Sequence, residues 1–345
     1  MRGDGADREV ALVMTWTGPK RRYRAIVLGL GCVLFVYLLV RLNPTEIFSL
    51  LLGIGWYFGL IVAAYGGHQL IRAIAFRKCL TADERPSYWD IVRIRLSGEA
   101  TQFLTSTGPF LAEPAKVWLL RRWGLSIKNA AAATVSEYLI YTFTSAALAI
   151  GGLTYLVSHF ELSKPESVAA KVIVYAMSTF LVAAALAINF RIYLIGAVMK
   201  GIGRLPVVGK RLRLDQKDVR DTEDLLFVVL RDRPLRFLSI LALELAAQAL
   251  LVLELFVLLR TTGKPFSVFH PLLVEAATKF VGLAFFFIPG QVGAAEGTYA
   301  LIFKTVGLSA SAGFALAVAR RLRSILVAGA GLAFAPVWRE APPSR

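Results

Sequence analysis

Long apolar runs separated by short basic segments set the pattern of this chain, and the runs do not alternate apolar and polar faces at helical period. Several approach the roughly 20 residues needed to cross a bilayer. The pattern predicts spans over residues 25–40, 50–76, 130–157, 168–188, 237–259 and 268–288, with an Asn43-Pro44 turn between the first two. Arg72, Arg77, Lys78 and Arg85 end the second span and return the chain to the cytoplasm. In that span Gly55, Gly59, Ala63 and Gly67 recur at every fourth position and predict a face for close helix packing. Residues 215–230 predict one amphipathic helix lying on the membrane face.

Two stretches break the pattern. Residues 89–122 are too polar for a lipid-facing helix, and Gly98, Gly108, Pro109 and Pro114 forbid one continuous helix there. Further on, Pro289-Gly290 ends an apolar run and Gly293 and Gly297 follow. Glu296, Lys304, Arg320, Arg321 and Arg323 then interrupt two apolar helices. Backbone breaks and full charges are tolerated at membrane depth only where protein or a water-filled cavity covers them. Both stretches therefore read as broken or re-entrant elements beside a functional cavity.

The two stretches are also related to each other. At an offset of 183 residues, 111–137 lies over 294–320 without a gap. Ala112-Glu113 falls on Ala295-Glu296, Gly124-Leu125-Ser126 on Gly307-Leu308-Ser309, Arg121 on Lys304 and Glu137 on Arg320. Paired, interrupted segments in two halves of a chain point to a transporter site. The exchange of Glu137 for Arg320 makes these two a candidate ion pair across a pseudo-symmetric interface. Counting spans leaves open whether the repeats are parallel or inverted. The fold class expected is all-α, a polytopic membrane protein of about seven or eight transmembrane helices with two re-entrant segments. Its organisation is a polar N-terminal tail (1–24), one transmembrane domain (25–338) and a short tail (339–345). The domain holds repeat segments at 105–137 and 288–320 and a cytoplasmic amphipathic loop at 200–236.

Composition narrows the function. The chain is 57% hydrophobic with a formal charge of +16, and its Lys and Arg cluster in a few loops. That clustering is what the positive-inside rule expects, so it argues for a cytoplasmic N-terminus and against nucleic acid as a partner. Cationic loops also favour anionic lipid headgroups. Two cysteines and three scattered histidines give no disulfide framework, no metal set and no reason to expect a cofactor. Gly209-Lys210 imitates the end of a phosphate-binding loop, but Arg204 and Arg211 stand where Gly and Ser/Thr are required. With no nucleotide motif, the chain is not expected to be an enzyme.

Buried carboxylates in a membrane are expensive, which makes Glu113 and Glu296 substrate-binding candidates. The structural alternative is that each bonds the backbone freed by its neighbouring break. Arg320, Arg321 and Arg323 can hold a lipid phosphate through charge-assisted bonds, or else pair with Glu137 or Glu275. Glu137, Glu275 and Lys279 read as supporting charges, the last two at the favoured i,i+4 spacing. Glu244, Gln248 and Glu254 read as interhelical bonds.

At these residues the sequence resembles the flippase-like family, also described as the transmembrane region of lysylphosphatidylglycerol synthase. The resemblance lies in Gly108 to Glu113, in Pro289, Gly290, Gly293, Glu296 and Gly297, and in Gly307-Leu308-Ser309 with the Arg-bearing helix after it. Gln291 stands where the family often has a further Gly, and Phe110 and Ala112 replace its usual polar and Gly residues. The resemblance implies a protein of the cytoplasmic membrane that moves a phospholipid, glycolipid or isoprenoid-type lipid between leaflets. Its implied partners are membrane lipids with anionic or zwitterionic headgroups, and a lipid-biosynthesis enzyme. The chain ends about where the family's aminoacyl-transferase domain would begin, so that chemistry is expected to be absent. The alternatives are a subunit of a membrane-embedded lipid-modifying enzyme and a scaffold for envelope biosynthesis.

Overall fold

The computed structural model describes residues 32–81, 86–104, 109–194, 196, 216–284 and 291–334. The tails, Gly108, the 200–215 segment with Gly209-Lys210, Pro289 and Gly290 lie outside them. Among the described residues the chain is helical and carries no strand, an all-α polytopic membrane protein as the apolar pattern predicts.

Helices α1 (Cys32–Arg41) and α2 (Pro44–Ile54) meet at a bend of 98°. Asn43 starts α2 by accepting a bond from the Glu46 amide, with Pro44 in the first turn. Gly55, at φ +44°, then ends α2 before α3 (Tyr57–Cys79) begins. The single span expected over 50–76 is therefore split, because a left-handed residue closes the helix. The chain continues through α4 (Tyr88–Leu104), α5 (Pro109–Arg122), α6 (Ile127–His159) and α7 (Lys164–Asn189). Next come α8 (Gln216–Phe227, extended by a π turn at Val228–Asp232), α9 (Pro234–Arg260), α10 (Phe269–Ala284), α11 (Ala294–Thr305) and α12 (Ala310–Ala333).

Among the described residues α3, α6, α7 and α9 are long and apolar enough to cross a membrane, or five elements counting the bent α1–α2 pair. The sequence reading of seven or eight crossings also included α10, which has 16 described residues, and α12, which carries three arginines. These, with α4, α5 and α11, are the short or charged elements of the bundle, and they build its interior.

Two apolar cores sit at opposite ends of the bundle, and they fix the orientation of the repeat. One core gathers Phe76 and Cys79 near the C-terminus of α3, Ile91 near the start of α4, Leu120 near the end of α5 and Ala130 near the start of α6. The other gathers Leu258 near the C-terminus of α9, Leu273 near the start of α10, Phe303 near the end of α11 and Ala312 near the start of α12. The same two cores take opposite ends of α3 and of α6, through Ile61 against Phe76 and through Leu156 against Ala130. Helices α3–α6 therefore correspond to α9–α12 with the ends exchanged, an inverted repeat. The α4–α5 and α10–α11 pairs are re-entrant hairpins entering from opposite ends; residues 105–108 and 285–290 lie outside the described residues.

The Gly-Leu-Ser matches have the same geometry in both copies. Gly124 and Gly307 take φ of +87° and +79°. The amides of Leu125 and Leu308 reach back to the carbonyls of Leu120 and Phe303. Ser126 and Ser309 then cap the next helix by accepting from the amides of Asn129 and Ala312.

The small-residue face expected on α3 is a correction. Only Gly67 meets a close neighbour, Leu250, and a Cβ at Gly59 would find nothing within 4 Å. The tight approaches lie elsewhere. A Cβ on Gly313 would stand 2.5 Å from the Tyr299 carbonyl oxygen, and one on Gly331 would stand 2.2 Å from that of Leu96. The second contact pins α12 to α4, joining the two repeats.

Candidate functional site: a polar cavity between the repeats

Between the two repeats lies a cavity of about 810 Å³. Each hairpin reaches it near its inner end, α4–α5 through Gln102, Ala112 and Glu113 and α10–α11 through Gln291 and Ala295. Gln291 takes a left-handed φ of +52°, which accounts for glycine being usual there in the resembling family.

The first wall is organised around one charge cluster to which four helices contribute. Glu137 of α6 is fully buried and is met by Arg72 of α3 at 2.6 Å, by Arg95 of α4, and by Lys116 of α5 at 3.4 Å. Arg72 also pairs with Glu244 at 3.1 Å and lies over the Tyr141 ring at 3.7 Å. Lys116 holds Glu113 at 2.8 Å.

The second wall repeats the plan with signs reversed. Arg320 of α12 is met by Glu254 of α9 at 3.2 Å, by Glu275 of α10 at 2.9 Å, and by the Tyr299 hydroxyl of α11. At the offset of 183, Lys116 corresponds to Tyr299 and Glu137 to Arg320. The wall then adds cations of its own. Lys279 pairs with Glu275 at 2.9 Å, as its i,i+4 spacing predicts; Arg321 pairs with Glu296, and Arg323 with Glu254.

Glu137 and Arg320, expected to pair, do not. Each is the centre of its own cluster and is saturated by three helices of its own repeat. Of the sequence candidates, Glu113, Arg320, Arg321 and Arg323 line the cavity. Glu296 does not. It is fully buried, one carboxylate oxygen accepts from the Gly293 amide at 2.8 Å, and the other holds Arg321. Its place is behind the wall, where it closes the first turn of α11 and fixes an arginine that does face the cavity. Glu244 and Glu254 are interhelical partners, and Gln248 donates to Ser145 at 2.9 Å.

Tyr65, Arg72, Arg95, Glu99 and Lys116 also line the cavity, and the sequence reading missed them. Arg72 looked like the start of a loop, yet it lies seven residues inside the C-terminus of α3 and is nearly inaccessible. The available signal was position: His68, Gln69 and Arg72 fall on successive turns inside an apolar run, where polar groups need partners.

Electrostatically, the lining presents cations in front and keeps most of their counter-ions behind. Three cations of the first repeat and four of the second face the cavity, against the carboxylates of Glu99, Glu113 and Glu275. Glu137, Glu244, Glu254 and Glu296 stand behind as partners. Such a surface holds guanidinium and ammonium groups in fixed positions without a free buried charge, and groups of this kind can form charge-assisted bonds to an anion.

Residues 24–331 match the family described as Lysylphosphatidylglycerol synthase TM region. No curated protein and no solved structure gives a significant match.

Proposed function

The chain belongs to the lysylphosphatidylglycerol synthase transmembrane-region family, and from that premise we propose that it moves a lipid between leaflets, with the headgroup in the cavity and the tails in the bilayer. The observation that carries this reading is the cavity itself: cation-lined, shared by two inverted repeats, and flanked by two re-entrant hairpins from opposite ends. Inverted repeats with broken helices meeting near the bilayer midplane are the plan of alternating-access transporters. A polar lining removes most of the cost of taking a headgroup through the hydrocarbon layer.

We place the end formed by α3–α4, α5–α6 and α8 in the cytoplasm, since Arg77, Lys78, Arg121, Arg122 and Lys128 cluster there. The chain then lies in the cytoplasmic membrane with a cytoplasmic N-terminus and does its work by binding and release, with no bond made or broken.

Mass spectrometry of lipids retained by the purified protein tests the reading. A single headgroup class should be enriched over the membrane average in wild type and lost in an R321Q/R323Q double variant. The same unselected lipid in both would contradict a headgroup site here and favour a scaffold for biosynthetic enzymes.

A further inference from the structure

One arginine in the cavity is left incomplete. Arg320 spends Nε and both Nη groups on Glu254, Glu275 and Tyr299. Arg323, on the same helix and only 5% exposed, directs Nη1 to Glu254 and Nη2 to Ser324, while its buried Nε has no protein partner. A buried N–H without an acceptor is costly enough that native structures rarely keep one without a reason. An oxygen supplied by a bound ligand is such a reason, and the residue lines the cavity where one would sit.

The Cζ of the same guanidinium lies over the Tyr65 ring, 3.7 Å from its centroid. The Tyr65 hydroxyl donates to the carboxylate of Glu99 at 2.5 Å. Glu99 is partly exposed in the cavity wall, and among the described residues no cation pairs with it. It thus differs from Glu113, which Lys116 neutralises, and from Glu275, which Lys279 and Arg320 neutralise. Tyr65 therefore holds an under-partnered cation and an unpaired anion on one side chain. They are separated by a stacking contact and the length of a phenol ring. That is too far for a direct ion pair and short enough for one small headgroup to touch both.

Resting on the reading that the cavity takes lipid headgroups, we propose that Arg323, Tyr65 and Glu99 form a station for a lipid carrying both a phosphate and a primary ammonium, of the phosphoethanolamine kind. The phosphate oxygen accepts from Arg323 Nε, and the ammonium, two carbons away, donates to Glu99. The station selects on the amine. A purely anionic lipid satisfies Arg323 but offers Glu99 only a neutral hydroxyl donor and leaves its charge uncompensated, and a bulky quaternary amine cannot donate to it.

The test is calorimetric titration of the purified full chain in detergent with short-chain phosphatidylethanolamine, short-chain phosphatidylglycerol and tailless glycerophosphoethanolamine. Wild type should bind the ethanolamine lipid about tenfold more tightly than the glycerol lipid, the scale of one charge-assisted bond. E99Q should bring that ratio close to one while keeping affinity for the glycerol lipid, and R323Q should weaken both lipids. Y65F keeps the ring beneath Arg323 but frees Glu99, so its ratio should fall between wild type and E99Q. Unchanged thermal midpoints establish that the variants are folded. Equal affinities in wild type, or a preference that survives E99Q, would overturn the station while leaving lipid translocation standing. Tailless compound binding as tightly as the lipid would overturn a lipid as the occupant. A preference in binding with no transfer in vesicles would sink translocation and leave the station intact.

Discussion

The two repeats solve one problem with opposite signs. In α3–α6 a buried carboxylate, Glu137, is enclosed by cations from three other helices; in α9–α12 a guanidinium, Arg320, is enclosed by two carboxylates and a hydroxyl. The comparison separates what folding requires from what function requires. Folding needs one central charge tied to each neighbouring helix, and either sign serves, since a buried charge is tolerated when its partners are complementary. Both halves line the cavity with cations, and here they differ. In the first half the cations are the outer members of the cluster and already face the cavity. In the second the outer members are carboxylates, and that half alone adds Lys279, Arg321 and Arg323 to the lining.

The largest effect should come from removing the centres. E137Q and R320Q should each cost about 3–5 kcal/mol in a denaturant titration of the detergent-solubilised protein, the scale for breaking a buried ion pair. The two should differ in size. In R320Q both carboxylates keep a cation, Glu254 through Arg323 and Glu275 through Lys279, whereas E137Q leaves Arg95 without a carboxylate partner among the described residues. E137Q should therefore be the costlier of the two in the same titration. Equal behaviour would erase the distinction between the halves.

A smaller effect tests backbone packing at matched positions. Ala130 in the first repeat corresponds to Gly313 in the second, where a Cβ would stand 2.5 Å from the Tyr299 carbonyl oxygen. G313A should destabilise by about 1–3 kcal/mol through overpacking against backbone. The reciprocal A130G should cost about 1 kcal/mol, the helix-propensity difference. A neutral G313A would show that α11 and α12 can separate at no cost. Smallest of all, S126A and S309A each remove a helix cap worth about 1 kcal/mol. S309A should be the costlier, because Ser309 also donates to Glu46 at 2.8 Å.

Local features were legible in the sequence because they depend on neighbours in the chain. The Gly-Leu-Ser turns, the interrupted segments and the Glu275–Lys279 pair all follow from short-range spacing. The clusters were not legible. Arg72 belongs with Glu137, 65 residues away, and with Glu244, 172 residues away, and nothing local to α3 encodes either partner. The inversion was hidden for a related reason. It depends on α4–α5 and α10–α11 turning back inside the membrane, and a hairpin and a crossing can share the same hydropathy. Glu296 was read for its cost in lipid, but an acidic residue at the third position of a helix is also a capping residue, and the Gly293 amide claims it.

Transbilayer movement through a deliberately obstructed cavity is the most direct measurement. Ala112 and Ala295 are equivalent in the repeat, and both line the cavity. An A112C/A295C protein, with Cys32 and Cys79 replaced, would be reconstituted in vesicles and treated with a reducible bifunctional maleimide. Lipid transfer should stop when the bridge forms and return when it is cleaved, while either single-cysteine protein keeps its rate. Transfer that continues at the same rate in fully bridged protein would contradict a path between the two repeats.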